Sequence, residues 1–344
     1  MAIRLDGTLW TWGYNNYGVI QGGGSSVISS PIQIAGSWSQ AAAGTSYSLA
    51  IKTDGTLWAW GHNDYGLLGN GTTTIVSSPT QIAGSWKMVA AGGSFDAPHG
   101  VIYGIKSDST LWAWGDNYNC QLADGGTTNS TTAKQIAGSW AIIAAGGYNI
   151  DTSNCSGAGN GSAAVGIKTD GTVWGWGINN KGQLGVNTTS AYSNPVQING
   201  GYTSVEIGEC VSAYIKADGS LWMSGMGLYG QLGNYSTSTY SSPVQIAGTW
   251  QKAFVGNRQS FGLKTNGQLF GWGSNFDGNL GLDGEGVRAF TPVQITGSWS
   301  QVATGRMHTV AINSAAELYA WGSSSTTSTG PVSYTHLRAH ETSL

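Results

Sequence analysis

The chain has 344 residues, among them 55 Gly, 16 Trp, 15 Tyr, 14 Lys or Arg and 17 Asp or Glu. Glycine makes up about 16% of the chain, more than twice the average usage of about 7%, whereas charged residues make up 9% against about 25% in ordinary globular chains. The many Trp exclude a disordered chain, and the lack of a three-residue Gly period excludes a collagen. A net charge of −3 offers no basic surface for nucleic acid or an anionic membrane, no apolar run reaches the length of a membrane span, and residues 1–7 contain no signal-peptide core.

One short motif, Trp-x-Trp-Gly, recurs along the whole chain. Its seven copies, the last three degenerate, begin in chain order at Trp10, Trp58, Trp112, Trp174, Trp222, Phe270 and Tyr319. Their second positions are 48, 54, 62, 48, 48 and 49 residues apart. A second motif, Gln-Ile-Ala-Gly-Ser-Trp or a close variant, ends at Trp38, Trp86, Trp140, Tyr202, Trp250 and Trp299. Self-similarity at this period indicates a repeat architecture.

Each repeat predicts four short β-strands. A typical copy reads 38–43, 47–52, 56–60 and 79–83, with Asp54-Gly55 between the second and third strands. Asp-Gly between two apolar runs is a strong hairpin signal. Helical periodicity is absent. Seven four-stranded units of this length predict an all-β chain, and a β-propeller is one way for such sheets to avoid long exposed edges.

The repeat resembles that of the regulator-of-chromosome-condensation family, in its bacterial or viral type with Trp-x-Trp-Gly. The clearest copy is Gly171-Thr-Val-Trp-Gly-Trp-Gly177, followed by Asn-x-x-Gly-Gln-Leu-Gly at 179–185 and Asn-Pro-Val-Gln-Ile at 194–198. The resemblance covers residues 3 to about 332 and implies a seven-bladed β-propeller of four-stranded antiparallel blades. Members of the family include a nucleotide-exchange factor, a photoreceptor, ubiquitin-ligase domains and a β-lactamase inhibitor. The family therefore implies a scaffold, and function has to be argued from the site.

The Trp residues are predicted to hold this scaffold. Alternation along a strand puts both Trp of Trp-x-Trp on one face, and we assign structural roles to the second-position residues Trp12, Trp60, Trp114, Trp176, Trp272 and Trp321. Lys52, Lys106, Lys168, Lys216 and Lys264 recur once per repeat and are expected to be solvated hairpin residues. Ser224 replaces a second-position Trp, and Met223 or Met226 is expected to fill the gap.

The two ends of the chain depart from the repeat. The first and last units are incomplete, so residues 1–332 are predicted to form a single propeller domain. Residues 333–344 match no repeat and are interpreted as a cloning or assembly scar. Either the two ends pair to complete one blade, or the natural protein continues at both ends; the missing first strand and the abrupt tail favour the second interpretation.

No catalytic motif is found in the sequence. There is no His-Glu-x-x-His, phosphate loop or Gly-x-Ser-x-Gly, so we predict a protein that is not an enzyme and that needs no cofactor. Cys120, Cys155 and Cys210 are too far apart to suggest a metal site, and a bridge between Cys155 and Cys210 stays open.

The departures from regular spacing indicate where a partner binds. The long spacings place insertions at 93–100 and 147–161, both between the first and second strands. Because strands alternate in direction, these insertions share one end of the blades with the long loops between the third and fourth strands. Variable loops on a rigid scaffold carry binding residues. We therefore predict that this long-loop end is the working face.

Within that face, the repeats separate a fixed frame from variable positions. Asn15, Asn63, Asn117, Asn179 and Asn275 recur at one position and indicate a turn that needs Asn. Two positions later the residue varies, which is typical of a ring of contact residues or of unconstrained loop drift. The candidate binding residues are Tyr17, Tyr65, Asn119, Lys181, Tyr229 and Asp277 in the ring, and Asp96, His99, Tyr148 and Asp151 in the insertions.

Two main hypotheses for function follow. The first is a monomeric, non-enzymatic scaffold that recognises a protein partner through the long-loop face. The alternative is a carbohydrate-binding propeller that stacks sugars on Tyr17, Tyr65 and Tyr229. A third, nucleotide exchange on a small GTPase, rests on the family resemblance alone. The low charge and abundant Ser, Thr, Asn and Gly favour an extracellular or cell-envelope setting.

Overall fold

A computed structural model gives the fold of residues 1–20, 27–44, 46–93, 99–147, 162–282, 286–305 and 307–322. This part of the chain consists of β-strands with one 3-10 turn at Asn16–Gly18. No helix within these ranges is long and apolar enough to cross a membrane.

The strands follow one another in chain order. Those of the first half are β1 Ala2–Ile3, β2 Leu9–Tyr14, β3 Val27–Ile34, β4 Trp38–Ala43, β5 Tyr47–Lys52, β6 Leu57–Gly61, β7 Val76–Ile82, β8 Trp86–Gly93, β9 Gly100–Lys106, β10 Thr110–Gly115, β11 Ser130–Gly146, β12 Ala163–Lys168, β13 Val173–Gly177 and β14 Tyr192–Ile198. Those of the second half are β15 Tyr202–Ile207, β16 Val211–Lys216, β17 Ser220–Gly225, β18 Tyr240–Thr249, β19 Lys252–Val255, β20 Gln259–Leu263, β21 Leu269–Ser274, β22 Arg288–Ile295, β23 Trp299–Thr304, β24 His308–Asn313 and β25 Leu318–Gly322.

Neighbouring strands in the chain pair antiparallel, and each sheet keeps the chain order. The blades are β1–β3, β4–β7, β8–β11, β11–β14, β15–β18, β19–β22 and β23–β25, numbered 1 to 7, with β11 shared between blades 3 and 4. Two compact units divide the chain: unit 1 spans 1–180 and 190–199 and holds blades 1 to 4, and unit 2 spans 181–189 and 200–344 and holds blades 5 to 7. The fourth strand of a blade begins earlier than predicted, at Val76 in blade 2.

The hairpin turns are held by a short chain of hydrogen bonds. In blade 2, Asp54 Oδ1 accepts from the Thr56 amide at 2.9 Å and from the Thr56 hydroxyl at 2.6 Å. The Trp58 indole in turn donates to Thr56 Oγ1 at 2.9 Å. Gly55 has a φ of 83°, a conformation that side-chain-bearing residues rarely adopt. The hydrogen bonds from Thr56 lower the pKa of Asp54, so the turn favours the charged carboxylate.

The second-position Trp connects one blade to the next. Trp114 is fully buried, and its indole donates to the backbone carbonyl of Leu67 at 3.0 Å. Leu67 lies in the loop between the third and fourth strands of the preceding blade. Trp60, Trp176, Trp272 and Trp321 repeat the bond to Val19, Gln121, Gln231 and Asn279. Trp60, Trp114, Trp176 and Trp272 are fully buried, whereas Trp12 and Trp321 are only partly buried.

The prediction that the repeated Lys are simply solvated is wrong. In blade 3, Lys106 Nζ lies 3.8 Å from the ring centre of Trp112 and 5.2 Å from that of Trp86. Lys52, Lys168, Lys216 and Lys264 lie in the same way between two aromatic rings. A cation over an aromatic face is attracted by the ring quadrupole, so each Lys covers the partly exposed first-position ring.

The expectation that a Met fills the gap at Ser224 is also wrong. Tyr214 occupies the space, stacks on Tyr202 with ring centres 4.9 Å apart, and donates to the carbonyl of Gln183 at 3.2 Å. Ser224 Oγ donates to the same carbonyl at 3.1 Å, where other blades use the indole. Met223 packs instead in the core of blades 5 and 6.

Candidate functional site

A repeated Asn fixes the loop between the third and fourth strands. Asn63 is fully buried; its Oδ1 accepts from the Leu68 amide at 2.8 Å, and its Nδ2 donates to the carbonyls of Thr72 and Thr74, each at 3.0 Å. Asn15, Asn117 and Asn275 accept the amide five residues later in the same way. The frame that recurs in these loops is therefore a set of hydrogen bonds within each loop, and the candidate residues project from it.

The first candidate, Tyr17, lies against a histidine of the next blade. Its ring meets that of His62 edge-on, with centres 4.7 Å apart, and Tyr17 keeps 47% of its surface exposed. His62 is buried at 2% exposure and its Nε2 lies 3.0 Å from Oδ2 of Asp64, which is 57% exposed. The carboxylate thus orients the imidazole and still faces solvent.

The second candidate, Tyr65, also lies against a histidine of the next blade, in a different geometry. Its ring stacks on that of His99 with centres 4.4 Å apart, and its hydroxyl lies 3.4 Å from His99 Nε2. His99 Nδ1 lies 3.1 Å from Oδ2 of Asp116, which is buried at 1% exposure. Burial, and then the negative charges of Asp116 and Asp64, raise the pKa of the Tyr65 hydroxyl.

The buried carboxylate of Asp116 is held from two further sides. Gln121 Nε2 donates to its Oδ2 at 3.1 Å, and the Tyr118 amide donates to its Oδ1 at 3.1 Å. The side chain of Tyr118 is 64% exposed. In unit 1, the structure therefore brings Tyr17, Tyr65 and His99 into one series of contacts that also includes residues absent from the predicted set.

In unit 2, Tyr229 has a different environment. It is buried at 9% exposure, and its ring faces two guanidinium groups, Arg258 at 4.5 Å and Arg288 at 5.0 Å from the ring centre. Arg288 also donates to the Leu228 carbonyl at 3.4 Å. Tyr229 is therefore a support for two cations and offers little ring surface of its own.

The remaining ring positions are partly exposed. The backbone amides of Asn119 and Lys181 donate to Gln121 Oε1 and Gln183 Oε1 at 2.7 and 3.0 Å, and Asp277 is also partly exposed. Asp96, Tyr148, Asp151 and Cys155 lie outside the described residues, so their predicted roles and the Cys155–Cys210 pair stay predictions. Cys120 is a free thiol. Within the described ranges, no three His, Cys, Asp or Glu side chains cluster as they would around a metal ion.

Sequence reasoning missed His62, Asp64, Asp116 and Tyr118. His62 and Asp116 share one repeat position, directly after Trp-x-Trp-Gly, where other copies have Tyr14, Ile178, Met226 and Ser274. An ionisable His or Asp at this variable position, directly before the repeated Asn, could have indicated a functional residue. It was missed because the predicted set rests on the position two residues after the Asn.

Comparison with known proteins identifies the family of the repeat. A model of the regulator of chromosome condensation (RCC1) repeat matches residues 6–51, 54–96, 170–212 and 266–312, and a second model of the same repeat matches 38–67. Together these cover more than half of the chain. The chain belongs to the RCC1 repeat family. Its fold class is accordingly the all-β propeller that the sequence predicts.

Solved structures share the fold of this chain. Human WBSCR16 is 18% identical with a TM-score of 0.75 over 92% of this chain and 88% of its own. Yeast RCC1 (Prp20), solved with Kap60, is 17% identical with a TM-score of 0.77 over 94% and 80%. Prp20p from Saccharomyces cerevisiae, studied for its binding to Gsp1p and histones, is 17% identical with a TM-score of 0.73 over 94% and 82%. No curated protein matches the sequence.

Proposed function

We propose that this RCC1-repeat chain is a non-enzymatic scaffold that recognises a protein partner through its long-loop end. The observation that carries the proposal is the contrast between the two ends of a blade. At the hairpin end, Asp54, Thr56 and Trp58 satisfy one another. At the long-loop end, buried Asn side chains fix the loops, and Tyr17 and Tyr118 project with 47% and 64% exposure. Exposed Tyr on a rigid frame is characteristic of protein interfaces.

The geometry of Tyr65, His99 and Asp116 supports binding rather than catalysis. A hydroxyl, an imidazole and a buried carboxylate in series superficially match a nucleophile, its base and an orienting acid. A nucleophile is activated by a well-placed base or by a lowered pKa, and the pKa of Tyr65 is raised. Its hydroxyl also lies at 3.4 Å from the imidazole, beside it in a stacked pair. The group therefore acts as a fixed aromatic surface.

The carbohydrate alternative receives less support from the same contacts. Sugar stacking needs an accessible aromatic face. His99 covers one face of Tyr65, and Tyr229 is nearly buried beside Arg258 and Arg288. Only Tyr17 of the three keeps a large exposed surface. The likeness to Prp20p at 17% identity concerns the fold, so its partners Gsp1p and histones are not transferred to this chain.

The test is a capture experiment with matched variants of the full chain. One variant replaces 148–160 by a short Gly-Ser linker, which alters the long-loop end and leaves His99 in place. The control carries Asp54→Asn and Asp170→Asn at the hairpin end, where Asn266 occupies the same position in blade 6. We expect a protein, identified by mass spectrometry, that binds the parent and the control and is lost from the loop variant. Equal loss from both variants, or a glycan retained by all three, would contradict the proposal.

A further inference from the structure

At the long-loop end of unit 1, two groups of contacts, Tyr17–His62–Asp64 and Tyr65–His99–Asp116, follow each other through blades 1, 2 and 3. Together with Tyr118, whose backbone amide bonds to Asp116, we call them the aromatic row. Asp64 connects the first part, since it contacts His62 and precedes Tyr65. Asp116 connects the second part, since it contacts His99 and accepts from the Tyr118 amide. The row is therefore built from side chains that position one another.

The charge of the aromatic row is one-sided. The three loops that follow the third strands of blades 1 to 3, residues 14–26, 62–75 and 116–129, contain three Asp and neither Lys nor Arg. The third carboxylate, Asp124, is already paired with Lys134 at 2.7 Å. The carboxylates of Asp64 and Asp116 contact only imidazoles among the described cationic side chains. Negative charge thus accumulates along the row without a neighbouring Lys or Arg.

The exposed groups of the row match one kind of partner. Tyr17 in blade 1 and Tyr118 in blade 3 have exposed rings, whose faces carry negative quadrupole potential, and Asp64 in blade 2 has an exposed carboxylate. Guanidinium and ammonium groups bind aromatic faces and carboxylates together, because their stems cover the ring while the charged end reaches the oxygen. An acidic segment would instead meet repulsion from Asp64.

We propose that the aromatic row binds a Lys- or Arg-bearing segment of a protein partner, whose cations contact the carboxylate of Asp64 and the rings of Tyr17 and Tyr118. The inference rests on the proposed function and specifies its partner chemistry and its location. Asp116, His99 and Gln121 act as positioning residues that hold Tyr65 and the Tyr118 backbone in place. The raised pKa of Tyr65, caused partly by the two carboxylates, agrees with the negative potential of the row.

The test measures binding of defined peptides to the full chain. Fluorescein-labelled short peptides of alternating Arg and Ser, Lys and Ser, Glu and Ser, or Pro and Ser are titrated by anisotropy at about 50 and about 300 mM salt. The variants Asp64→Asn and Tyr118→Ala alter exposed groups and should leave the fold intact, which circular dichroism verifies. Asp218→Asn and Tyr235→Ala are the matched controls, since they remove an exposed charge at the hairpin end and an 86% exposed Tyr in unit 2.

We expect the Arg and Lys peptides to bind, the Glu peptide not to bind, and affinity to fall at high salt. Asp64→Asn and Tyr118→Ala should each weaken binding about fivefold, and the double variant more than about tenfold, with the controls unchanged. Preference for the Glu or Pro peptide, equal effects of the controls, or no binding of any peptide would overturn the inference. A partner captured as in the previous section whose binding ignores Asp64→Asn and Tyr118→Ala would overturn it as well, while the proposed function would stand.

Discussion

Blade 5 provides a quantitative test of how the blades are packed. In blade 3, Gly104 faces Trp86, and a Cβ added there would come within 2.5 Å of the Trp86 ring. In blade 5 the same two positions are Tyr214 and Tyr202, and the second-position Trp has become Ser224. The three changes form one compensated set: the ring that Ser224 lacks is supplied from the neighbouring strand by Tyr214, which is fully buried. We predict that these positions are strongly coupled.

The expected magnitudes follow from volume. Tyr214→Gly empties a fully buried ring site and should lower the free energy of unfolding by about 3–5 kcal/mol. Ser224→Trp forces an indole into the space that Tyr214 fills and should cost about 1–3 kcal/mol. Tyr214→Phe removes the bond to Gln183 alone, and because Ser224 still donates to that carbonyl, its cost should be about 1 kcal/mol. The triple variant Tyr202→Trp, Tyr214→Gly, Ser224→Trp restores the arrangement of blade 3 and should lose much less than the sum.

The assay is equilibrium unfolding in guanidinium chloride, followed by circular dichroism so that the added Trp does not alter the signal. Contacting residues show interaction free energies of about 0.5–3 kcal/mol in such cycles. We expect an interaction free energy at or above the upper end of this range, because the same buried ring site can be filled from either of two strands, by Tyr214 or by a Trp at position 224. Additive losses in the triple variant would refute the idea that Tyr214 substitutes for the missing indole.

Three further predictions concern charge. Burial raises the pKa of Glu206 to about 7 from its usual 4.5, so the stability that the neutral carboxyl gives at acid pH should be lost as pH rises through 7. In Glu206→Gln the thermal midpoint should stay flat between pH 5 and 8. A decline in the variant as large as in the parent would contradict the assignment to Glu206. Lys106→Met should lower the unfolding free energy by about 0.5–1 kcal/mol and Lys106→Arg by less, since Trp112 loses its cation only in the first; equal effects would exclude a cation–π contribution. Asp54→Asn combined with Asp170→Asn should flatten the loss of stability below about pH 4, because both carboxyls have lowered pKa values when folded; an unchanged acid titration would contradict the role of the turn bonds.

Much of the fold could be predicted because the same structural unit is repeated several times in one sequence. The Asp-Gly turns, the buried second-position Trp and the loop Asn recur at fixed spacing, and each recurrence reports the same local geometry. Strands β4 and β5 have the predicted bounds for this reason. The family model and the solved relatives confirm the resulting fold class.

Contacts across the repeat were harder to predict. The Lys recurs six residues before the first-position ring, but it covers that ring from another strand, and spacing alone does not show the contact. Tyr214 acts on a position ten residues away in one blade, so its role does not recur along the sequence. At the candidate site, Tyr17 and Tyr65 were predicted because they vary on a fixed frame, and His99 because it lies in an insertion. His62 and Asp116 were missed because their partners come from neighbouring loops, and pairing between loops depends on packing that one sequence does not display.

The repeats also explain why binding and stability occupy different residues in this protein. A position whose bond recurs from blade to blade, such as Asn63 within its loop or Trp114 to the preceding blade, keeps one chemistry in most copies and is buried. A position whose partners differ from blade to blade can change from His62 to Asp116 to Met226 without loss of the frame. Substitutions at the second class therefore change the surface offered to a partner at little cost to folding. The aromatic row consists almost entirely of such positions, which is why a charge change at Asp64 should alter binding and leave the unfolding transition nearly unchanged.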